Sequence, residues 1–394
     1  MCMKKRIVIG QAGGPTAVIN ASLVSLAEAL APKHDITFVF NGYEGLAEGN
    51  FLEGTTDLLE RLQMYKDVPG ACLGSGRFES SMEVIEKMCQ QLNHIGADTL
   101  IMIGGNGTMY ALHLIEKELA NKGTDLQVIG IPKTVDNDLG GTDHSPGFGS
   151  AARYVAQTVA DSSRDLMAMN NFEQVRILET MGRNSGWLAG ASGFFKKYEE
   201  EGPHFIGLPE IPDTHEQLFE SVEASLQSHG QALLVVSEGM LWKDSLNAEH
   251  KNGRAVLGGV SAQIKSSLEE YFKISVRAEV LGMNQRSSSV YISESDKQEA
   301  MEIGTKAAHL VNENVSGQMV CIERISNLPY HVKINTTSFK NVIKEGERAL
   351  PGKFINDQKQ YYEWLRPLIG NGLSYPPPLR KEDNIYASSI DRPK

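Results

Sequence analysis

At 394 residues with 41% apolar content, the chain can bury a large core and is long enough for two lobes rather than one. Its formal net charge of −11 argues against nucleic acid as a partner, because such binders carry a basic surplus that displaces counterions from the polymer. Any anionic ligand must instead meet a local cluster of Arg, Lys and backbone N–H groups set in an acidic body.

The N-terminus, "MCMKKRIVIGQAGG", has an apolar run of only a few residues that leads into glycines. It reads as a first strand, too short for a signal peptide, and no later run approaches a membrane span, so a cytoplasmic protein without a membrane partner is expected. Cys2, Cys72, Cys89 and Cys321 are scattered without paired spacing and read as reduced thiols.

Next along the chain, Ile19, Leu23, Leu26 and Leu30 mark an amphipathic helix, and "DITFVF" a second buried strand. "GACLGSGRFESS" then precedes a helix carried by Ile85, Met88, Leu92 and Ile95. "TLIMIGG" is a third strand, followed after "GGNGT" by a helix from about Met109 to Leu119 that Gly123 is placed to stop. "LQVIGIP" is a fourth strand. Short apolar runs alternating with helices are the signature of parallel sheets joined by crossover helices.

Past Gly-rich "LGGTDHSPGFGS" a second set begins, with "QVRILET", "ALLVVSEG", "ISVRAEVLG" and "MVCIERI" as strands. The two sets suggest two similar lobes facing across a cleft. The tail "RPLIGNGLSYPPPLRKEDN" is Pro-rich and polar and is expected to wrap the surface or fray.

In open α/β sheets the ligand lies beyond the carboxyl ends of the strands, and glycine gathers there where backbone must approach a phosphate. "IGQAGGPTAVIN", "GACLGSGRFESS" and "IMIGGNGTMYAL" do this three times over, without P-loop or dinucleotide spacing. Single turns of this kind are often only structural. "IPKTVDND" ends the fourth strand at the same rim. If extended, it points Asp136 and Asp138 the same way, since strand side chains repeat every two residues. The alternative is a turn closed by an Asx hydrogen bond. In the first reading one carboxylate accepts a proton from an attacking hydroxyl while its neighbour orients it or binds a metal, and Lys133 offsets the charge. Arg183 in "ETMGRNSGW" sits between glycines and suits an anion. Arg277 and Arg286, about one strand apart, are candidates for a second cationic pocket, and Glu238 for sugar hydroxyls.

In their order, "GGPTAVIN", "LGSGR", "GGNGT", "PKTVDND", "TDHSPGFGSA", "MGRNSGW" and "GMNQR" resemble the phosphofructokinase family over almost the whole chain to about residue 300, most closely its pyrophosphate-type branch with ATP-using members. The resemblance implies an α/β fold of two Rossmann-like lobes, parallel sheets flanked by helices, with the active site between them. Residues 1–147, completed by part of 284–345, would bind the donor, and 148–283, completed by part of 346–394, the sugar phosphate. Asp136 would be the general base for the C1 hydroxyl, with Thr134, Asp138 and Lys133 beside it. Arg183 would stabilise the transferring phosphoryl group. Met181, Gly182, Glu238, Arg277, Met283 and Arg286 would line the sugar site. The donor, ATP or pyrophosphate, would rest on Gly13, Gly14, Arg77, Gly105, Asn106, Gly107 and Thr108, with Mg²⁺ near Asn106, Asp136 and Asp138. A homodimer or homotetramer is implied.

The chain departs from the best-known members of that family. Asn106 stands where Asp is common and offers Mg²⁺ only a neutral oxygen. Gly107 leaves room for the α-phosphate of ATP, whereas Lys133 is typical of pyrophosphate users. ATP and fructose 6-phosphate are the expected substrates, with pyrophosphate the alternative donor. Met283 replaces a His or Tyr, Gln174 an Arg borrowed from the neighbouring subunit, and Ser287 and Ser288 two glycines at the end that holds the 6-phosphate. Fewer donors there weaken a dianion, so a sulfonated sugar or sedoheptulose 7-phosphate is the alternative acceptor. Intact Asp136, Asp138 and Arg183 speak against a non-catalytic sugar-phosphate sensor, and "MGRNSGW" and "GMNQR" against a lipid or nicotinamide-dinucleotide kinase.

Overall fold

Runs of Val, Ile and Leu that are apolar on both faces can only be satisfied between two helical layers, and the computed structural model of the chain puts them there. It describes residues 4–76, 81–169, 171–241, 250–251, 254–255 and 259–379. The first half runs β1 (Arg6–Gln11), α1 (Ile19–Leu30), β2 (Asp35–Val39), α2 (Gly42–Glu48), β3 (Phe51–Glu53), α3 (Thr56–Gln63), α4 (Met82–His94), β4 (Thr99–Gly104), α5 (Asn106–Asn121) and β5 (Gln127–Pro132). Helix α6 (Phe148–Ala168) leads to β6 (Val175–Thr180), α7 (Trp187–Ala191), β7 (Phe205–Gly207), α8 (His215–His229) and β8 (Ala232–Ser237). The hairpin of β9 (His250–Lys251) and β10 (Arg254–Ala255), then α9 (Val260–Phe272) and β11 (Val276–Val280), complete that half.

Beyond α10 (Asn284–Ser287) and α11 (Glu294–Asn312), the chain returns to the first sheet as β12 (Gln318–Asn327) and β13 (Tyr330–Ser338). It closes with α12 (Phe339–Glu345), α13 (Gly352–Asn356) and α14 (Gln358–Ile369). The larger sheet has the order β13-β12-β5-β4-β1-β2-β3, parallel except for β3 and β13 at its edges; the smaller, β11-β6-β8-β7, is parallel throughout. In the larger sheet the chain runs from β1 to β2 on one side and from β4 to β5 on the other, which opens a crevice at the carboxyl ends of β1 and β4.

Each sheet is covered on both faces. Ile7, Ile9, Ile101 and Ile129 pack under α1 and α11, and Val8, Leu100, Met102 and Val128 under α4 and α5. In the smaller lobe, Leu178, Leu233 and Val235 meet α6, α7 and α14, while Ile177, Leu234 and Val236 meet α8 and α9. Trp187, at the start of α7, is buried against Phe148, Phe354, Tyr361 and Trp364 with ring centroids 5.2–6.0 Å apart. Aromatic pairs of this kind add about 0.5–1.5 kcal/mol each beyond their buried area, and here they fix the end of the loop that carries Arg183.

Three expectations are corrected. "MVCIERI" lies in β12 and pairs with β5 in the first sheet, so it does not belong to the second set. The lobes are unequal, with sheets of seven and four strands. The tail begins inside a buried helix: Leu368 and Ile369 of α14 are core residues, and only the segment beyond runs over the surface of α6, where Tyr375 donates to Asp161. Among the described residues no helix is long and apolar enough to cross a membrane.

Candidate active site

Five strand ends, those of β1, β4, β5, β6 and β8, converge on the gap between the lobes. After β5, Lys133 turns inward: its backbone N–H donates to the Gly104 carbonyl, and its ammonium donates to the Gly14 carbonyl at 2.5 Å. Burial pulls its pKa down to about 8, with Arg286 adding to the fall and Asp136 and Asp138 opposing it.

The segment that follows is not extended. The chain bends at Val135 and Asp136, and Asn137 adopts a left-handed conformation, φ +53°, with its side-chain oxygen accepting from the Ser145 N–H at 3.0 Å. Asp136 N–H donates to Thr134 Oγ1 at 3.1 Å. The two carboxylates therefore meet through a turn, closed on the Thr134 hydroxyl rather than by an Asx hydrogen bond, and not through the two-residue repeat of a strand. They still share one site. Burial first, then the charges of Asp138 and Glu238, push the Asp136 carboxyl up to about 7 against the pull of Lys133 and Arg183. Its Oδ1 is buried without a hydrogen-bond partner. Burial and Glu347 likewise raise Asp138, which hydrogen bonds from Thr134 and Asn106 partly offset.

Gly105 caps α5, and Asn106 and Gly107 form its first turn with N–H groups free for an anion. Thr108, in the same turn, is buried. A Cβ on Gly107 would meet nothing within 4 Å. Asn106 Nδ2 donates to the Asp138 carbonyl at 3.2 Å, leaving its amide oxygen as the free acceptor. Beside this turn stands the first glycine turn. A Cβ on Gly13 would lie 3.3 Å from Lys133 Nζ, and one on Gly14 would lie 3.1 Å from Arg286 Nη1.

From the second lobe, Met181–Gly186 follows β6 and Glu238 follows β8. Gly182 has φ +124°, its carbonyl accepts from Ser237 Oγ, and a Cβ on Gly239 would overlap the Arg183 carbonyl, so only glycine lets these two loops touch. The contact sets Glu238 beside Arg183; burial raises the Glu238 pKa and Arg183 opposes the rise. Ser185 Oγ donates to the Asp136 carbonyl at 3.0 Å, which joins this loop to the acidic turn. Gln285, buried, accepts from Met181 N–H at 2.9 Å and ties the Met283–Arg286 turn to the same loop.

Asp136, Asp138, Lys133, Thr134, Arg183, Glu238, Arg286 and the glycine turns are thus brought together. Arg277 is not. It lies on edge strand β11 with Nε on Glu173 at 2.9 Å and Nη1 3.8 Å from Glu279, whereas Arg286 reaches the first glycine turn, so the two form no common cationic pocket within one chain. Met283 is 58% exposed. Arg77 lies outside the described residues. Ser185 and Gln285 were missed although both stand inside quoted motifs; their signal was a hydroxyl and an amide next to the charged residue of a strand-end turn. Glu347 and Arg348, which also touch the acidic turn, carry no such signal.

The donor set fits Mg²⁺ brought in on donor phosphates. The unpartnered Asp136 Oδ1, the Asp138 carboxyl and the Asn106 amide oxygen face one turn. Among the described residues no group of three or more His, Cys, Asp or Glu forms a closed cage, and Mg²⁺ needs none when phosphates and waters complete its shell.

The sequence profile described as Phosphofructokinase matches residues 6–311. The sulfofructose kinase of Alkalicoccus urumqiensis is 44% identical over 98% of this chain and 100% of its own. The pyrophosphate–fructose 6-phosphate 1-phosphotransferase of Rhodospirillum rubrum is 31% identical over 99% and 100%. Among solved structures, the pyrophosphate-dependent phosphofructokinase of Marinobacter aquaeolei superposes with a TM-score of 0.84 at 27% identity, covering 96% of this chain and 94% of that one.

Proposed function

From the premise that this chain belongs to the phosphofructokinase family, we propose that it transfers the terminal phosphoryl group of ATP to the C1 hydroxyl of sulfofructose, a fructose whose C6 carries a sulfonate. The observation that carries the choice of acceptor is the scarcity of free positive charge where the C6 group would bind. At the Met283–Ser288 turn Met283 is neutral and the Ser287 hydroxyl donates to its carbonyl, while neutral Gln174 and Arg277, paired with Glu173, stand at the amino ends of β6 and β11, where they can serve only a site shared with a second copy. A phosphate ester brings about −1.5 to −2 charges at neutral pH, whereas a sulfonate brings one. The full-length likeness to a sulfofructose kinase supports the same choice over fructose 6-phosphate.

For the donor, the open space at Gly107 supports ATP, since nothing there crowds an α-phosphate. Pyrophosphate is the second reading, favoured by the Lys133 ammonium beside the first glycine turn and by the likeness to pyrophosphate-dependent relatives.

In the reaction, a bond forms between the C1 oxygen and the terminal phosphorus while the bond to the bridging oxygen breaks, and ADP leaves with that electron pair. Asp136 takes the hydroxyl proton on its unpartnered oxygen; a carboxyl near pH 7 is suited to do so. Lys133, Arg183 and the first N–H groups of α5 offset charge on the transferring group. Mg²⁺, held by Asp138 and the Asn106 oxygen with Asp136 alongside, would neutralise the donor phosphates. Arg277, exposed on an edge strand, suits a site completed by a second copy of the chain in a homodimer or homotetramer. The reading puts the enzyme in the cytoplasm, where ATP is held.

The test is the specificity constant for sulfofructose and for fructose 6-phosphate, each with ATP and with pyrophosphate. ATP with sulfofructose is expected to exceed ATP with fructose 6-phosphate by at least about tenfold, the value of roughly one charged hydrogen bond. A higher constant for fructose 6-phosphate overturns the acceptor, and activity with pyrophosphate alone overturns the donor.

A further inference from the structure

Residues 345–351 lie beyond the 6–311 span that matches the family, yet they run between the two catalytic loops. On the side of the first lobe, Gly141 N–H donates to Glu345 at 2.6 Å, and Leu139 bridges to Glu347. On the other, Asn184 Nδ2 donates to Glu347 at 2.5 Å.

Arg348 grips both loops by itself. Its N–H donates to the Asp138 carbonyl at 2.7 Å, and its Nη1 to the Thr142 carbonyl at 2.5 Å. Its carbonyl accepts from Trp187 Nε1 at 3.2 Å, and its guanidinium lies 4.7 Å above that indole ring. Trp187 stands four residues after Arg183. Two of the three guanidinium nitrogens, Nε and Nη2, are buried without a partner. Leaving buried donors unpaired costs stability, so this is not an arrangement that stability alone would select.

We propose that Arg348 is a positioning residue for phosphoryl transfer, locking the acidic turn to the arginine loop. The inference rests on the phosphoryl-transfer reading but not on the identity of donor or acceptor.

The experiment compares Arg348→Gln and Arg348→Lys in the full chain. Arg348→Gln is expected to lower kcat by about 10- to 100-fold, the scale of a displacement of about 1 Å, with both KM values changed less than about threefold. Arg348→Lys, which loses the fork and the stacking on Trp187, also falls in kcat, and amide exchange in 136–142 and 181–187 becomes faster in both variants. Parental kcat in Arg348→Gln, or unchanged exchange in both segments, overturns the proposal. If Arg348→Gln does not fold, Arg348→Lys decides: a reduced kcat with faster exchange in both segments supports it, and a parental kcat overturns it. Should the parent turn over no donor and acceptor pair, the reaction assignment fails instead. Amide exchange then decides: faster exchange in both 136–142 and 181–187 on Arg348→Lys supports the lock, and unchanged exchange overturns it.

Discussion

Ser185 Oγ donates to the backbone carbonyl of Asp136 at 3.0 Å, so the loop that carries Arg183 and the turn that carries the candidate base are joined directly across the gap. Neither lobe alone holds both groups. The bond sets their separation, and with it the alignment of an acceptor hydroxyl and a phosphoryl group.

Ser185→Ala removes that bond and leaves a partly buried carbonyl without its donor, at a cost of about 1 kcal/mol in stability. kcat is expected to fall more than either KM rises, because alignment rather than binding is lost. Steady-state kinetics with thermal unfolding check this; a rise in KM at constant kcat contradicts it.

Gly107→Asp separates steric from electrostatic control of the donor. A Cβ there meets nothing within 4 Å, and a carboxylate in the first turn of α5 favours the helix dipole, so the fold is expected to hold or gain slightly. A negative charge beside the donor phosphates should raise the KM for ATP by about tenfold or more, one lost or opposed charged contact. Unchanged use of ATP would show that the nucleotide lies elsewhere.

His144 gives stability its own pH dependence. Burial disfavours its charge, but Glu299 and Asp143, each 2.7 Å from a ring nitrogen, outweigh burial and push the pKa up to about 9. The folded value exceeds the unfolded one of about 6.5, so the contribution is complete below about pH 6.5 and is lost as pH rises through about 9. Its size is on the order of 3 kcal/mol. The difference in unfolding free energy between the parent and His144→Gln is expected to shrink by that order over this range. Taking the difference removes the effects of Lys133 and Asp136, which titrate there too. A constant difference would show that His144 stays neutral in the fold.

Much of this was legible in the sequence where local chemistry dictates structure. The central strands are buried on both faces, so each leaves an unbroken apolar run, and the strand-end turns betray themselves by glycine. The acidic pair was visible, but its geometry was not. Asn137 turns the chain with a left-handed backbone fixed by a hydrogen bond from Ser145, eight residues on. The return of β12 to pair with β5 is a contact across almost two hundred residues that no local pattern announces. Arg277 looked like a partner for Arg286 until Glu173, two positions before β6 begins, claimed its guanidinium. Arg348 lies in an irregular segment without periodicity, so only its contacts reveal it.

The most direct measurement is kcat against pH for the parent and for Asp136→Asn. With Asp136 as the base, the parent rate climbs as that carboxyl ionises and levels off above about pH 7, and the variant loses about 10²- to 10⁴-fold while remaining folded. A folded Asp136→Asn protein that turns over near the parental rate, with the same pH profile, would contradict proton transfer to Asp136 at the gap between the lobes.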